Sequence, residues 1–391
     1  MPTLQQFFQD SVSNLQLEPI TLDPPVLLQD LSTPALTIDL DVFDANLAKM
    51  QDYLTTRGMD LRCHTKMHKS PVIAKKQLAN GAIGVCCATV SEAEVMLASG
   101  IEDILITSPV VTKEKVLRVI SLARESTGIE IVVDHIEGAD LFEREAANAD
   151  LSLNVLVDLD PGMGRTGIQP GQDALNLAQH ITGNCSSLRF KGLQMYIGNC
   201  MHTSGFDARC DKYTHLLQKG IETRLLLESE GINVPVFTGG GTGTYNIDGD
   251  IGELTDLQAG SYAFMDVEYR DIGGQGSERF VDFEPSLFAL VTAISKPQER
   301  LITVDAGIKS LATDTAYPEL RDIEGVVYHF GGDEHGIIQL NNPSKEIRLG
   351  DKLQVLAPHC DPTVNLYDFY YPYRNDVVEE LWPISARGRS Q

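Results

Sequence analysis

Residues 83–107, IGVCCATVSEAEVMLASGIEDILIT, hold one complete unit of the pattern that decides the fold. The apolar run Ile83–Thr89 predicts a buried strand, and Ser91 with Glu94 has the spacing of a capping box that begins a helix. Gly100 then ends the helix, and the apolar ILIT that closes the quoted stretch predicts the next strand. A strand, a helix and a second strand in so short a segment are typical of a parallel βαβ unit.

The same order of strand, turn and helix repeats along most of the chain. It begins after Ser32 and continues to about Gly276, with strands expected over Ala35–Leu40, Leu61–Lys66, Ile83–Thr89, Ile104–Thr107, Ile129–Asp134, Leu153–Leu159, Phe190–Tyr196, Val234–Thr238 and Leu257–Tyr262. About eight units over roughly 230 residues have the size of a (β/α)8 barrel. A doubly wound open sheet has the same alternation, so periodicity alone leaves both arrangements open.

The chain changes character near both ends. Residues 1–32 contain four prolines and little periodicity, which predicts an extended N-terminal arm. After residue 278 the long helical patterns stop and short β-like runs follow, which predicts a separate domain. The expected α/β architecture is therefore an arm over 1–32, a TIM-type barrel over 33–278 and a mostly-β domain over 279–391.

Composition excludes several classes of protein. The chain has 31 basic and 55 acidic residues, a formal net charge of −24, which disfavours nucleic acid and anionic lipid as partners. No apolar run reaches the roughly 18 residues of a membrane span, and the N-terminus lacks the segments of a secretory signal. Seven cysteines, an odd number, indicate reduced thiols in the cytoplasm instead of a disulfide framework.

The segment RCHTKMHKS over residues 62–70 is unusually basic. If it is extended, Arg62, His64, Lys66 and His68 share one face. Crowded cations lower the pKa of a lysine and make its amine a nucleophile, so Lys66 is a candidate for covalent chemistry. A basic strand end that only binds an anion explains the same residues, and the segment by itself leaves both interpretations open.

A run of three glycines follows the eighth expected strand. The sequence GGGTGTY over residues 239–245 can close backbone N–H groups around an anion, and Thr242 adds a hydroxyl. Late loops of barrels often bind phosphate, and Gly260, Ser261 and Tyr262 at the end of the next strand offer further donors. A flexible turn is the alternative interpretation.

Two other segments carry candidate ligands. If His359-Cys360-Asp361 is extended, the imidazole and the carboxylate share one face and the thiol lies on the other. That donor pair suits Mn²⁺, Mg²⁺ or Zn²⁺ and leaves positions open for substrate and water. Arg165, between glycines in DPGMGRTG, can reach the barrel mouth from a strand end. A surface turn is the alternative for each segment.

Taken in order, these motifs resemble the D-threonine aldolase and D-3-hydroxyaspartate aldolase group of fold-type III pyridoxal phosphate enzymes, which have the alanine racemase fold and include D-serine dehydratase relatives. The resemblance runs from about Thr33 to Arg387, and its carriers are RCHTKMHKS, DPGMGRTG, GGGTGTY, QAGSYAFMD, VDAGIKS, DEHG and HCDPTVN. The ordered set is far more specific than any single motif. His-x-Asp at 359–361 is the aldolase pattern, whereas the dehydratases typically show His-x-Cys there.

The resemblance implies a role for each candidate residue. Lys66 holds pyridoxal 5'-phosphate as a Schiff base, and Lys69 is the second, non-bonded lysine of the motif. Further cofactor contacts are implied for Arg165, Tyr196, Thr242, Gly260, Ser261 and Tyr262. His359 and Asp361 are implied as ligands of a divalent metal. We expect His202 or a metal-bound hydroxide to remove the proton of the substrate β-hydroxyl.

The expected function is a lyase that cleaves D-3-hydroxy amino acids, such as D-threonine and D-3-hydroxyaspartate, to glycine and an aldehyde or glyoxylate. The alternatives are a dehydratase or a racemase on the same barrel, and a non-catalytic pyridoxal phosphate carrier. The resemblance also implies a homodimer whose active sites lie between the barrel of one subunit and the β domain of another. The aromatic residues between Tyr367 and Trp382 fit such an interface or the core of the β domain itself.

Overall fold

The computed structural model describes residues 12–391 and contains a closed barrel and a large mixed sheet. Its strands are β1 Ile20–Leu27, β2 Ala35–Asp39, β3 Asp60–His64, β4 Gly84–Cys87, β5 Ile104–Ile106, β6 Ile129–Val133, β7 Leu153–Asp158, β8 Leu188–Met195, β9 Val236–Gly239, β10 Asp256–Leu257, β11 Leu287–Gln298, β12 Leu301–Val304, β13 Glu319–Leu320, β14 Val326–Phe330, β15 Gly336–Leu340, β16 Lys352–Leu356, β17 Phe369–Arg374 and β18 Val377–Pro383. Its α-helices are α1 Leu40–Arg57, α2 Pro71–Ala79, α3 Val90–Ala98, α4 Lys113–Glu125, α5 Ile136–Asn148, α6 Gln172–Asn184, α7 Gly198–Met201, α8 Phe206–Ser229, α9 Tyr245–Ile251, α10 Val267–Arg270 and α11 Cys360–Val364.

Strands β3 to β10 form the barrel. They pair in parallel in chain order, and β10 closes the ring by pairing with β3. Cys86, Leu105, Val132 and Leu156, from four successive strands, are fully buried together inside the barrel. Because this interior is packed, ligands are restricted to the ends of the strands. The barrel expectation is confirmed, and the doubly wound sheet is excluded.

The remaining strands form a sheet with the order β1-β18-β17-β2-β11-β12-β15-β14, and β16 pairs with β11 and β13. Strand β2 lies in the middle of it, antiparallel to β11 and parallel to β17. The expectation that Ala35–Leu40 begins the barrel repeat is therefore wrong. A short apolar segment indicates a buried strand, but the strands that it pairs with are determined by contacts with residues about 250 positions or more away.

The arm and the β domain meet in this sheet. Strand β1 is extended, as expected for the arm, and pairs antiparallel with β18 near the C-terminus. The first eleven residues of the expected arm lie outside the described residues. The expected strands after residue 279 are present as β11, β12, β14, β15 and β16. The boundaries at 32 and 278 stay a prediction.

Two further properties concern membranes and thiols. Among residues 12–391, no helix has both the length and the apolar character that crossing a bilayer requires. All seven cysteines lie in this part of the chain, and each carries a free thiol.

Candidate active site

A cavity of about 420 Å³ opens at the carboxyl ends of the barrel strands. The candidate residues that line it are Lys66, Arg165, Tyr196, His202, Thr242, Gly260, Ser261, His359 and Asp361. The fold therefore brings together residues that are almost 300 positions apart in the chain. A cavity of this size with a few convergent polar groups is typical of a small-molecule site.

Lys66 enters the cavity from the end of β3. The strand stops at His64, and a single 3₁₀ turn over Thr65–Met67 carries Lys66. Its Nζ lies 3.7 Å from Asp361 Oδ1 and 5.8 Å from the centre of the Tyr196 ring. Burial lowers the pKa of Lys66, but Asp361 and Tyr196 outweigh it and the pKa is raised overall. The expectation that neighbouring cations lower this pKa is wrong, because a carboxylate is the nearest charged group.

His64 lines the cavity together with Lys66, but the other two basic residues expected on that face do not. Arg62 lies near the opposite end of the barrel interior, 3.5 Å from Glu130 and 3.6 Å from Asp256. His68 is fully buried, its Nδ1 accepts a hydrogen bond from the Ser70 N–H at 3.1 Å, and burial lowers its pKa to about 3. The alternation fails because the strand ends at residue 64 and a turn follows.

The glycine-rich segment after β9 forms one wall of the cavity through Gly241 and Thr242. The Thr242 hydroxyl accepts a hydrogen bond from the Tyr262 N–H at 3.0 Å, which leaves its own proton to donate. Tyr262 takes part only through its backbone. Its ring packs against Phe283 in the core, and its hydroxyl accepts from Gln77 Nε2 at 3.0 Å.

This loop is supported from behind by a buried carboxyl group. Asp248 accepts hydrogen bonds from the Tyr213 hydroxyl at 2.5 Å and the Thr244 hydroxyl at 2.8 Å. A Cβ atom at Gly240 would lie 2.4 Å from Asp248 Oδ2, so only glycine allows the loop to approach so closely. Residue 240 also has a φ of +64°, which favours glycine.

Arg165 is presented by a loop that winds around Asp160. Oδ1 of Asp160 accepts hydrogen bonds from the N–H groups of Gly162 and Met163 at 2.9 and 2.8 Å. Burial raises the pKa of Asp160, but these backbone donors outweigh it, and the pKa is lowered overall. The loop places the guanidinium carbon of Arg165 5.4 Å from the centre of the Tyr196 ring.

The candidate metal ligands come from the start of α11. His359 immediately precedes this short helix, Asp361 lies in its first turn, and His359 Nε2 is 3.7 Å from Asp361 Oδ2. Cys360 is buried between them, with its thiol 3.3 Å from the Met265 carbonyl oxygen. The expectation of an extended segment is wrong. The two side chains converge because the chain turns into a helix, and the same turn directs Cys360 into the core.

Two of the three histidines that line the cavity, His202 and His359, are each held by a carboxylate that the sequence analysis missed. Asp314 Oδ2 lies 2.7 Å from His359 Nδ1, and Glu268 Oε1 lies 2.8 Å from His202 Nδ1. Burial lowers the pKa of His359, but Asp361 and Asp314 outweigh it, so that this pKa is raised overall. Neither carboxylate belongs to a periodic pattern or a motif. Only the position of Glu268, two residues after QAGSYAFMD, could have drawn attention to it.

The floor of the cavity carries another missed carboxyl group. Asp158 ends β7, and burial raises its pKa to about 6 although Gln194 Nε2 donates to it at 2.9 Å. Gln258 Nε2 in turn donates to Gln194 Oε1 at 3.2 Å. An acidic residue at the C-terminal end of a barrel strand is a signal that could have identified Asp158 from the sequence.

Both halves of the cavity come from one chain. Lys66 belongs to the barrel, whereas His359 and Asp361 belong to the C-terminal part, yet α11 packs directly against the turn that carries Lys66. The expectation that these residues meet only across two subunits is therefore wrong. The long sheet makes this possible, because β2 lies just before α1 and joins the two parts of the chain.

Two models of known protein families match the chain, one over most of the barrel and the other over much of the C-terminal part. A family model described as alanine racemase, N-terminal domain, matches residues 38–266, and one described as putative serine dehydratase domain matches residues 286–373. The first model covers more than half of the chain.

Several known proteins are similar over almost the whole length. The D-threonine aldolase of Arthrobacter sp. is 38% identical, over 95% of this chain and 98% of that protein. The 3-hydroxy-D-aspartate aldolase of Paracoccus denitrificans (strain Pd 1222) is 35% identical, over 92% and 93%. The crystal structure of D-threonine aldolase from Filomicrobium marinum has a TM-score of 0.90 at 35% identity, covering 96% of this chain and 100% of that one. Dehydratases among the relatives are 21–26% identical.

Proposed function

Because this chain belongs to the D-threonine aldolase and 3-hydroxy-D-aspartate aldolase family, built on the alanine racemase barrel, we propose that it cleaves D-3-hydroxy amino acids to glycine and an aldehyde. With D-3-hydroxyaspartate the aldehyde is glyoxylate. The observation that carries the proposal is the meeting of a lysine and a His–Asp pair in one cavity, with Lys66 Nζ 3.7 Å from Asp361 Oδ1. The preference for D-amino acids rests on the family.

The cavity fits pyridoxal 5'-phosphate. Lys66 supplies the amine that bonds the cofactor, and the hydroxyls of Thr242 and Ser261 supply donors for its phosphate beside the backbone of Gly241 and Gly260. Arg165 and Tyr196 also line the cavity, with the guanidinium carbon 5.4 Å from the ring centre, and would contact the cofactor there. When bound, this cofactor withdraws the electron pair of a bond broken at the substrate Cα.

The paired donors at the start of α11 fit a divalent metal. Imidazole and carboxylate suit Mn²⁺, Mg²⁺ or Zn²⁺, and the separation of 3.7 Å between His359 Nε2 and Asp361 Oδ2 lets both contact one ion. Asp314 holds the other nitrogen of His359, as the outer partners of metal-binding histidines commonly do. A divalent ion bound here acts as a Lewis acid that lowers the pKa of a hydroxyl group in contact with it.

Individual residues of the cavity have separate roles in substrate binding and in proton transfer. The guanidinium of Arg165 attracts the carboxylate of the substrate, and the packed interior of the barrel closes the cavity from below. His202 accepts the proton of the substrate β-hydroxyl. The Cα–Cβ bond breaks, the former hydroxyl oxygen becomes the aldehyde carbonyl, and protonation of Cα completes glycine.

We test this with purified protein supplied with pyridoxal phosphate and Mn²⁺, assayed on D-threonine and D-3-hydroxyaspartate. The expected products are glycine with acetaldehyde or glyoxylate, and EDTA abolishes their formation. Ammonia with a 2-oxo acid indicates the dehydratase alternative, and racemised substrate that persists in EDTA indicates a racemase. Either result contradicts the proposal.

The metal site has its own variants. We expect His359→Ala and Asp361→Ala to lose metal-stimulated cleavage while the cofactor stays bound. The proposed phosphate-binding loop follows β9 and is separate from the start of α11, where these two residues lie. Cys360→Ser is the matched control, since its thiol points into the core and does not line the cavity. Loss of the metal in Cys360→Ser with retention in the other two would contradict the assignment.

We also infer a cytoplasmic homodimer. The seven unpaired cysteine thiols support a reducing compartment, and the homodimer rests on the family. The partners that we infer besides the cofactor and the metal are small-molecule D-3-hydroxy amino acid substrates.

A further inference from the structure

Glu268 holds His202, the histidine that lines the cavity together with the candidate metal ligands. Its Oε1 lies 2.8 Å from His202 Nδ1, and the His202 ring also packs against Tyr269 with centroids 4.6 Å apart. His202 follows α7 directly and has no other support of this kind among the described contacts. The neighbouring residues 268 and 269 therefore fix both the plane and the rotation of the imidazole.

The helix that carries Glu268 is itself tied to the metal-ligand segment. Asp266 begins α10 by accepting a hydrogen bond from the Tyr269 N–H at 2.9 Å, and its other oxygen accepts from the Cys360 N–H at 2.8 Å. Residues 266–270 thus connect His202 with the start of α11. The position of Glu268 relative to His359 and Asp361 is also set by the N–H groups of residues 267 and 268, which donate to the carbonyl oxygens of residues 357 and 358 at 3.1 Å.

The contact has a chemical consequence for a neutral imidazole. One ring nitrogen carries the proton and the other accepts, and a carboxylate beside Nδ1 selects the form with the proton on Nδ1. The lone pair is then on Nε2. Because His202 lines the cavity while Nδ1 faces Glu268, Nε2 is the nitrogen available to the substrate.

We propose that Glu268 is the positioning residue that makes His202 a proton acceptor. It holds Nδ1–H, orients the ring and leaves Nε2 unprotonated toward the β-hydroxyl of the substrate. The inference rests on the proposed retro-aldol function and adds to it the residue that gives the base its tautomer. It acts through His202 and touches no reacting atom.

A competing role for Glu268 is support of the metal site. Its Oε2 lies 3.8 Å from His359 Nδ1 and has no hydrogen-bond partner among the residues described. However, His359 Nδ1 already has the much closer Asp314 at 2.7 Å. The shorter contact of Glu268 is with His202, and the two roles predict different results.

Kinetics on the loaded enzyme separate these roles. Glu268→Leu removes the acceptor, and we expect kcat to fall about 10²-fold or more while KM changes little. Glu268→Gln keeps an amide oxygen for Nδ1–H and should recover part of that loss. Bound Mn²⁺ and cofactor stay at the wild-type stoichiometry. Loss of metal without a selective loss of kcat would assign Glu268 to the metal site and overturn the inference.

The matched control removes a carboxylate of β13 that binds the same helix from outside. Glu319 binds Arg270 at the end of α10 with oxygen to nitrogen distances of 2.6 and 2.7 Å, and it does not line the cavity. We expect Glu319→Gln to keep kcat near the wild-type value. An equal loss of kcat in Glu319→Gln and Glu268→Leu would mean that only the placement of α10 matters, which overturns the role of Glu268.

A tautomer measurement needs no turnover. In full-length protein labelled with 15N-histidine, two-bond 1H–15N spectra distinguish Nδ1–H from Nε2–H, and His202→Gln assigns the signal. We expect Nδ1–H in the wild type and in Glu268→Gln, and a shift toward Nε2–H in Glu268→Leu. A wild-type Nε2–H form overturns the inference even if glycine is produced. An absence of cleavage with the expected tautomer counts against the proposed function alone.

Discussion

Lys66 and Lys69 are only three residues apart in sequence, yet the first lines the cavity and the second is buried. Lys66 reaches into the cavity with a partly exposed amine. Lys69 is buried at a φ of +51° and forms a close ion pair with Glu92, whose other oxygen accepts from the Ala88 N–H at 2.8 Å. These surroundings support the covalent role that we propose for Lys66, whereas Lys69 compensates a buried carboxylate.

We expect Lys66→Ala to lose the visible absorbance of the lysine-bound cofactor and all turnover. Lys69→Met should keep that absorbance but lower the free energy of unfolding by about 3–5 kcal/mol, because Glu92 would be left buried without its cation. Absorbance spectra and urea unfolding measure the two effects. The opposite pattern, with absorbance lost only in the Lys69 variant, would reverse the assignment.

Asp248 predicts a pH dependence of stability. Burial raises its pKa to about 7, despite the hydrogen bonds from Tyr213 and Thr244. The folded state therefore holds a proton that the unfolded chain releases near pH 4, and this carboxyl makes folding less favourable as pH rises between about 4 and 7. Asp248→Asn lacks this titration.

We expect Asp248→Asn to be less stable than the wild type at pH 5, since its amide group cannot accept both hydroxyl hydrogen bonds. The difference in the free energy of unfolding should shrink or reverse by pH 8, with a limiting slope of about 1.4 kcal/mol per pH unit. Urea unfolding at several pH values measures it. A difference that stays constant from pH 5 to 8 would show that Asp248 does not titrate in this range.

At the scale of elements, the side chains of the capping box expected at the start of α3 make other contacts in the structure. Thr89 caps the helix by accepting a hydrogen bond from the Glu92 N–H at 3.2 Å, so the expected cap at Ser91 is wrong. Ser91 and Glu94 instead bind Arg118 of α4 at 2.6 and 2.7 Å. The capping-box spacing is present, but tertiary contacts between the two helices use these side chains.

Closure of the barrel depends on Gly192 in β8. Its φ is +144°, and a Cβ atom there would lie 1.8 Å from the Val236 carbonyl oxygen of β9, with which it is paired. We expect Gly192→Ala to lower the free energy of unfolding by about 3 kcal/mol or more, because backbone atoms have to separate. Thermal and urea unfolding measure the loss.

Gly183 in α6 is the matched control for this substitution. A Cβ atom at this position meets nothing within 4 Å, and its φ is not positive. Gly183→Ala should leave stability unchanged or raise it by up to about 1 kcal/mol. Equal effects of the two substitutions would show that the strand contact at residue 192 is not limiting.

At the scale of the whole molecule, the aromatic residues near the C-terminus join its two parts. Tyr370 and Trp382 are fully buried, and their rings lie 5.5 Å from Phe264 and 6.0 Å from Phe43. These two side chains therefore belong to the chain's own core and are not available to an interface. They help to hold α11, and with it the His–Asp pair, over the barrel mouth.

A cavity built within one chain makes a prediction about mixed oligomers. We expect a mixture of Lys66→Ala and Asp361→Ala proteins, dissociated and reassociated, to show no recovered activity, since each chain keeps one defect in its own site. Native mass spectrometry confirms that mixed dimers have formed. Recovery toward a quarter of wild-type activity would require sites shared between subunits and would contradict the arrangement described for Lys66 and Asp361.

The sequence alone determined the alternation of strands and helices, the change to β structure near residue 280, and the candidates Lys66, Thr242, His359 and Asp361. These features could be predicted because local periodicity and short motifs are formed by residues that are neighbours in the sequence. Only the tertiary structure decided that β2 joins the second sheet, that Arg62 and His68 leave the cavity, and that Glu268 and Asp314 hold the histidines. Pairing partners and side-chain neighbours come from distant segments, and no local pattern records which distant segment packs against which.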